Sequence, residues 1–334
     1  MTKAKILCAL TIPILVISVL FNSCNIDSSG VRVSTGKTSE ILVVIEKDEW
    51  NSNIGNAIRD FFGQDQEMLN QPEPKYTLPN ITPATLNDSK MFRSHRNLFI
   101  VDIKKDIDKP IMEIEKNFWA KPQLIIKITA PNESVWLEEF EKRKETFLAF
   151  YDKLERQRII NAFKKIENVS IRKKLMKDFN ISMVVPKEFY IATEKPGFMW
   201  IRKEAQSFSQ GILIYYYDYT DTIAFNYNKI IEVRDSITKL YIPGSIDNSY
   251  MTTSKTIMPQ FAPINFNGNY AVETRGLWET EVDFMGGPFI SITSVDEKRM
   301  RVVTVEGYVY YPNNKKRDKL KQMESILHTL KFMD

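Results

Sequence analysis

Histidine, the side chain most often used to move protons near neutral pH, occurs twice in the 334-residue chain, as His95 and His328. The two lie in different predicted domains, so a histidine metal site or a Ser-His-Asp arrangement would have to be built around a single imidazole. Carboxylates are plentiful. Glu273, Glu279, Glu281 and Asp283 share one face of a predicted strand with Arg275, while Thr274, Trp278, Val282 and Phe284 take the other. Neighbours two apart on a strand stand about 6.5–7 Å from one another, which overlaps the carboxylate spacing of inverting glycosidases. A charged strand face is ordinarily the solvated side of a half-buried sheet, and nothing in this pattern raises a carboxyl pKa for acid duty. The reading therefore assigns no catalytic residue, no metal ligand and no cofactor.

Recognition is better served. The segment Arg275 to Phe289, taken with Trp200 and Arg202, combines tryptophan and arginine with Gly276, Gly286, Gly287 and Pro288. The glycines permit close backbone approach or positive φ, the proline fixes the chain after them, and Trp beside Arg is the pairing that dominates binding hot spots. Arg275, Trp278, Trp200 and Arg202 are thus the candidate binding residues. The competing expectation is a bulged strand turn in which Trp278 is core and Arg275 pairs with a carboxylate.

The strand Gly211 to Tyr219 is apolar or aromatic on both faces, with Leu213, Tyr215, Tyr217 and Tyr219 on one of them. That face suits a glycan or peptide platform, or packing against the neighbouring domain, and interdomain packing is the expectation carried forward. Lys315, Lys316 and Arg317 open the last helix, where cations oppose the dipole; anionic lipid or phosphate could gather there, and solvation is the plainer expectation.

Location is set by Met1 to Cys24. Lys3 and Lys5 precede an apolar run from Ile6 to Phe21 that is short for a membrane span, which needs about 20 residues. The run ends in Phe21-Asn22-Ser23-Cys24, which resembles a bacterial lipobox, the site where a cysteine receives diacylglycerol before cleavage. Residues 1–23 are expected to be the signal, and Cys24 the lipidated residue that holds the protein to the membrane. Residues 24–39 are rich in Ser, Thr and Gly and are expected to form a flexible tether. With Cys8 removed and Cys24 acylated, no thiol is left for disulfide, metal or nucleophilic duty.

The composition, 43% apolar and 26% charged, belongs to a chain that folds, and the net charge of +4 falls further when Lys3 and Lys5 leave, so nucleic acid is not an expected partner. Ile41–Ile45, Leu98–Ile103 and Leu124–Ile128 read as strands buried on both faces, Asn51–Phe62 as a helix between them, and the stretch after Pro131 as a long helix ending in a shorter one capped by Ser170. Glu46, Asp48 and Glu49 follow the first strand in place of a glycine loop, so no nucleotide is expected. Gln64 to Lys90 carries four prolines and reads as an irregular surface excursion, with a lid as the alternative. From Ile181 the period changes to two. The expected division is an α/β domain over 40–180 and a mainly antiparallel domain over 181–334, closed by a helix whose stripe of Leu320, Met323, Ile326, Leu327 and Leu330 covers the sheet. The fold class is α+β.

Ile181-Ser182-Met183-Val184-Val185-Pro186, Phe198-Met199-Trp200-Ile201-Arg202, Arg234-Asp235-Ser236, Tyr250-Met251-Thr252-Thr253, Arg275-Gly276-Leu277-Trp278, Met285-Gly286-Gly287-Pro288-Phe289 and Glu306-Gly307-Tyr308-Val309-Tyr310 occur in order. Together they resemble an uncharacterised Bacteroidota lipoprotein family, domain of unknown function 4837, over most of the mature chain. That resemblance implies an outer-membrane lipoprotein of the cell envelope with no catalytic residues to carry over. The second domain also resembles the PsbP and Mog1 type of sandwich, an analogy of fold alone. The functional expectation is a lipid-anchored, non-catalytic binding or assembly module for an envelope protein or glycan. Its rival is a periplasmic hydrolase of glycan or peptide using carboxylate or serine chemistry.

Overall fold

The computed structural model describes residues 32–334; the expected signal and Cys24 lie outside the described residues. Among the described residues the protein is a mixed α+β structure with two cores. The first is organised by β1 (Leu42–Val44), α1 (Asn53–Phe62), β2 (Asn80–Ile81), α2 (Pro83–Asp88), α3 (Lys90–Arg93), β3 (Asn97–Ile103), β4 (Ile111–Lys116), β5 (Leu124–Ala130) and α4 (Glu133–Lys165). Its sheet runs β2-β1-β3-β5-β4, parallel except for β4. Ser52 and Asn132 cap α1 and α4 by accepting the backbone N–H of Ile54 and Val135, which satisfies donors that a helix start leaves open. One sheet face is sealed by Phe62, Trp136, Phe140, Phe147 and Tyr151 around Phe99. The other face, with Leu42, Val44, Leu98 and Ile125, meets the short α2 and α3 through Leu86 and Phe92, and Trp119.

The expected tether is partly structured. Arg32–Val33 pairs with Ala120–Lys121, Thr35 bridges His95, and Ser39 is fully buried. Gly36 lies so close to the His95 ring that an added Cβ would stand 2.4 Å from it. His95 itself lies between the Asn97 carbonyl at 2.8 Å and the Glu40 carboxylate at 3.0 Å, a structural histidine.

The second core contains α5 (Val169–Phe179), β6 (Tyr190–Lys195), β7 (Phe198–Glu204), β8 (Ser209–Asp218), α6 (Tyr227–Tyr241), β9 (Met251–Thr253), β10 (Gln260–Phe266), β11 (Asn269–Thr280), β12 (Gly286–Asp296), β13 (Arg301–Tyr310) and α7 (Arg317–Leu327). The strands form one antiparallel sheet, β9-β11-β12-β13-β8-β7-β6, with β10 paired to β11. Alternation along each strand sends Ile212, Ile214, Ile292 and Val305 toward α5 and α7, and Leu213, Tyr215, Phe289 and Tyr308 toward α6. The α7 stripe covers the sheet as expected. The tyrosine face of β8 packs beneath α6 at Leu213 and Tyr215, where packing against the first domain was expected.

Helix α5 belongs to this second core, through Ile171, Leu175 and Phe179, and its cap is Asn168 rather than Ser170. The expected boundary at 180 therefore moves to the α4–α5 junction, because the burial of α5, not the change of hydrophobic period, decides which half it joins. A fragment beginning at Glu167 is expected to unfold cooperatively when followed by circular dichroism. One beginning at Ile181 should lose about 1.5–3 kcal/mol for each apolar side chain left without its partner. Equal transitions for the two fragments would return α5 to the first half.

The proline-rich excursion closes the seam between the halves. Glu73 is 2% exposed and accepts the backbone N–H groups of Lys316 at 2.6 Å and Arg317 at 3.2 Å. It is the N-terminal cap that α7 lacks in its own sequence. Lys316 is buried with it while Lys315 stays exposed, so the expected solvation holds for Lys315 alone, and the helix end is occupied by a protein carboxylate where an external anion was considered above. Across the same seam Asp152 accepts from Tyr76 at 2.8 Å and Lys321 at 3.1 Å, and Arg156 pairs with Glu324 at 2.7 Å.

Candidate functional site

On the α6 face of the second sheet, three cross-strand pairs set a glycine opposite an aromatic ring: Gly211 with Tyr308, Gly276 with Phe289, and Gly287 with Trp278. A Cβ added at Gly211 would stand 2.1 Å from the Tyr308 ring, and one at Gly276 would stand 2.7 Å from Phe289. Gly211 and Gly276 are there so that large rings can lie flat on the sheet, the cross-strand device known as aromatic rescue. None of Gly276, Gly286 and Gly287 has positive φ, and the β11–β12 register runs without a bulge. Positive φ and a bulge are therefore replaced as explanations, while close backbone approach holds at Gly287 and Gly286, where an added Cβ would stand 2.0 Å from the Val309 carbonyl oxygen and 2.9 Å from that of Trp278.

Past the end of α6 the Tyr308 and Trp278 rings floor a cavity of about 270 Å³, lined also by Trp200 and Tyr310, with Arg202 and Ser245 among the polar groups. The turn after α6, Ile242 to Ser245, and Met285 form its wall. Trp200 donates its indole N–H to the Tyr308 hydroxyl at 3.0 Å, and Trp278 donates to the Val309 carbonyl at 3.3 Å. These bonds fix the orientation of both indoles. Burial pushes the Tyr308 phenol well above its usual pKa, so the ring stays neutral and keeps a proton to donate. The Arg202 guanidinium stacks on Trp200 with its central carbon 4.4 Å from the ring centroid, pairs with Glu204, and keeps a buried Nε without a hydrogen-bond partner.

Three of the four expected binding residues, Trp200, Arg202 and Trp278, thus meet at one cavity. Arg275 does not. It lies on the opposite face beneath α7, where it pairs with Glu273 at 2.7 Å and Glu324 at 3.0 Å. Burial alone would lower its pKa, but Glu324 and then Glu273 outweigh that and hold the guanidinium above its ordinary value. Residues three apart on a strand point to opposite sides, so Arg275 and Trp278 are separated by the sheet itself. The planar cation beside an aromatic anchor is Arg202 on Trp200. Sequence reasoning missed Tyr310, Gly211 and the turn at Ser245. Tyr308 and Tyr310 share the parity that faces α6, but only the strand register shows which glycine receives the ring.

Ser245 is held by Asp283. The carboxylate accepts the Ser245 backbone N–H at 2.8 Å and both the Ser245 and Ser249 hydroxyls, which ties the β11–β12 hairpin to the cavity wall. Burial raises the Asp283 pKa, but the hydroxyl and backbone donors outweigh it and hold the carboxyl well below the usual range. It is a poor base for that reason. Among the lining residues no Asp, Glu, His, Lys or Cys occurs. Among the described residues, no cluster of three or more His, Cys, Asp or Glu is placed to hold a metal.

No curated protein matches the chain. Among solved structures the chain is similar to the Saccharomyces cerevisiae Ran-binding protein Mog1p, at 8% identity and a TM-score of 0.27 over 46% of this chain and 91% of that one. It is also similar to a point mutant of the protein Mog1, at 10% identity and a TM-score of 0.28 over 46% and 92%. The resemblance expected over most of the mature chain divides in two at the α4–α5 junction: residues 34–164 match the family described as Domain of unknown function (DUF8532), and residues 168–329 match the family described as Domain of unknown function (DUF4837).

Proposed function

We propose that this chain is a lipid-anchored protein of the bacterial cell envelope, held at the outer membrane through Cys24, that binds an envelope protein or glycan without transforming it. The observation that carries the reading is the cavity lining: four aromatic rings, fixed by their own hydrogen bonds or by packing, with a guanidinium at the rim and no acid-base pair among them. A ring-sized group, such as a sugar or a side chain of a partner, would lie on the aromatic floor and offer acceptors to Arg202 and the Tyr308 hydroxyl. Serine chemistry would need a base at Ser245, and the carboxylate there is too acidic to serve. No helix among the described residues is long and apolar enough to cross a membrane, so membrane attachment in this reading rests on the acyl chains.

Two measurements test it. Cells given a clickable fatty acid should label the wild type and not Cys24→Ala, which should leave the membrane fraction; a labelled, membrane-bound variant overturns the anchor. Crosslinked membranes should yield one stoichiometric partner with the wild type and lose it with Tyr310→Ala and Arg202→Ala. Both side chains are only partly buried, so both variants should fold. Full recovery of the partner by both variants overturns the cavity as the binding site.

A further inference from the structure

The first domain has a second recognition surface, separate from the aromatic cavity. Strand β4 is the edge of its sheet, paired to β5 on one side only. Edge strands are normally blunted because their free N–H and C=O groups invite another strand. Here the edge carries exposed apolar side chains, with Ile111 at 51%, Ile114 at 41% and, just beyond the strand, Phe118 at 60%. Beside it lies a groove of about 290 Å³ on the face that α2 and α3 leave half covered. Its floor is Val44, Ile100 and Ile125, and one wall is the Phe118–Trp119 pair, whose rings meet edge to face at 5.0 Å. Asp102, Glu113 and Glu115 stand along it. Lys127 bridges Asp102 at 3.1 Å and Glu113 at 3.3 Å, and Glu115 has no ion-pair partner among the described residues.

We infer that β4 accepts an extended peptide from a partner protein as an added strand, with an apolar side chain of that peptide in the groove and a Lys or Arg against Glu115. Main-chain bonds along the edge would supply affinity. Side chains two apart on the added strand, about 6.5–7 Å from one another, match an apolar floor followed by a carboxylate. A second copy of this chain is the poorer occupant, because a two-fold pairing of β4 with itself brings Glu113 and Glu115 of both copies onto one face.

The test pans the purified mature chain against a displayed library of random ten-residue peptides, then titrates synthetic versions of the winners by fluorescence anisotropy. Enriched peptides should carry a Lys or Arg among alternating apolar residues. Glu115→Lys and Phe118→Ala should each weaken binding about tenfold or more, the ratio set by the loss of one good contact. N-methylation at alternate peptide positions should do the same. Neither substitution should move the melting temperature by more than a degree or two, because Glu115 is only half buried and Phe118 is exposed. An empty selection overturns the inference, as do winners that bind both variants as tightly as the wild type. A concentration-dependent dimer that Glu115→Lys abolishes would give the edge to a second copy and overturn it too.

Discussion

Glu306→Gln is expected to destabilise the second domain by about 3–5 kcal/mol, the cost of removing one partner from a buried ion pair. Glu306 on β13 is 0% exposed and Arg234 on α6 is 1% exposed. They meet through two parallel contacts of 2.8 Å, the planar geometry that only Arg gives a carboxylate. Thr253 accepts a third bond at 2.9 Å, and the guanidinium lies 3.9 Å from the centroid of the Phe289 ring. The glutamine would leave the cation, in the interface between α6 and the sheet, with only the partly exposed Asp235 carboxylate at 3.4 Å. Replacing both partners, as Arg234→Met with Glu306→Leu, should recover most of the loss, since two apolar groups of similar volume leave no charge uncompensated. Urea unfolding of both variants checks this, and a Glu306→Gln variant within 1 kcal/mol of wild type would contradict it.

Arg275→Ala is expected to behave as a structural lesion. The guanidinium joins Glu273 on its own strand to Glu324 on α7, and Glu324 also holds Arg156 of α4 at 2.7 Å. Removing it leaves two carboxylates facing each other across a largely buried seam. The expected loss is about 2–4 kcal/mol, below the range for fully enclosed pairs because a fifth of the Arg275 side chain is exposed. Burial raises the pKa of both carboxyls. For Glu324 the cations Arg275 and Arg156 outweigh that, and for Glu273 the His328 imidazole 3.9 Å away and Arg275 do, so both stand below the usual range. A carboxyl with a lowered folded pKa contributes stability that is complete above its unfolded value, about 4.3, and is lost as pH falls through the folded one. The gap between wild type and Arg275→Ala should therefore be widest near neutrality and narrow in acid. Thermal unfolding across that range would contradict the account if the gap stayed constant.

The parts of this fold visible in the sequence are those set by local pattern. Val43 and Phe99 sit in short apolar runs that must be strands buried on both faces, and the α7 stripe of Leu320, Met323, Ile326 and Leu327 needs only helical period to be recognised. β4 was not anticipated, because the alternation of Ile111, Glu113, Ile114 and Glu115 is too polar to stand out from a loop. β10 carries Pro263, which argues against a strand until its edge position is known. The Glu73 cap of α7 joins residues more than 240 positions apart, and no local signal marks it.

The candidate site divides in the same way. Trp200, Arg202 and Trp278 were legible as residue types suited to recognition, and strand parity alone separates Arg275 from Trp278. What parity does not give is register. Gly211 receives Tyr308 because β8 and β13 pair at that offset, and a shift of one residue would turn the ring to the other face.

The central claim, that recognition occurs at the aromatic cavity and not around Arg275, is tested most directly by photo-crosslinking in living cells. Benzoylphenylalanine is placed at Tyr310, which lines the cavity and is only partly buried, and as a control at Phe150, an exposed residue of α4. The account predicts one discrete crosslinked species from position 310, none from position 150, and persistence of that species in an Arg275→Ala background grown at a temperature where the variant stays folded. Crosslinking of the same partner from position 150 alone, or none from position 310, would contradict it.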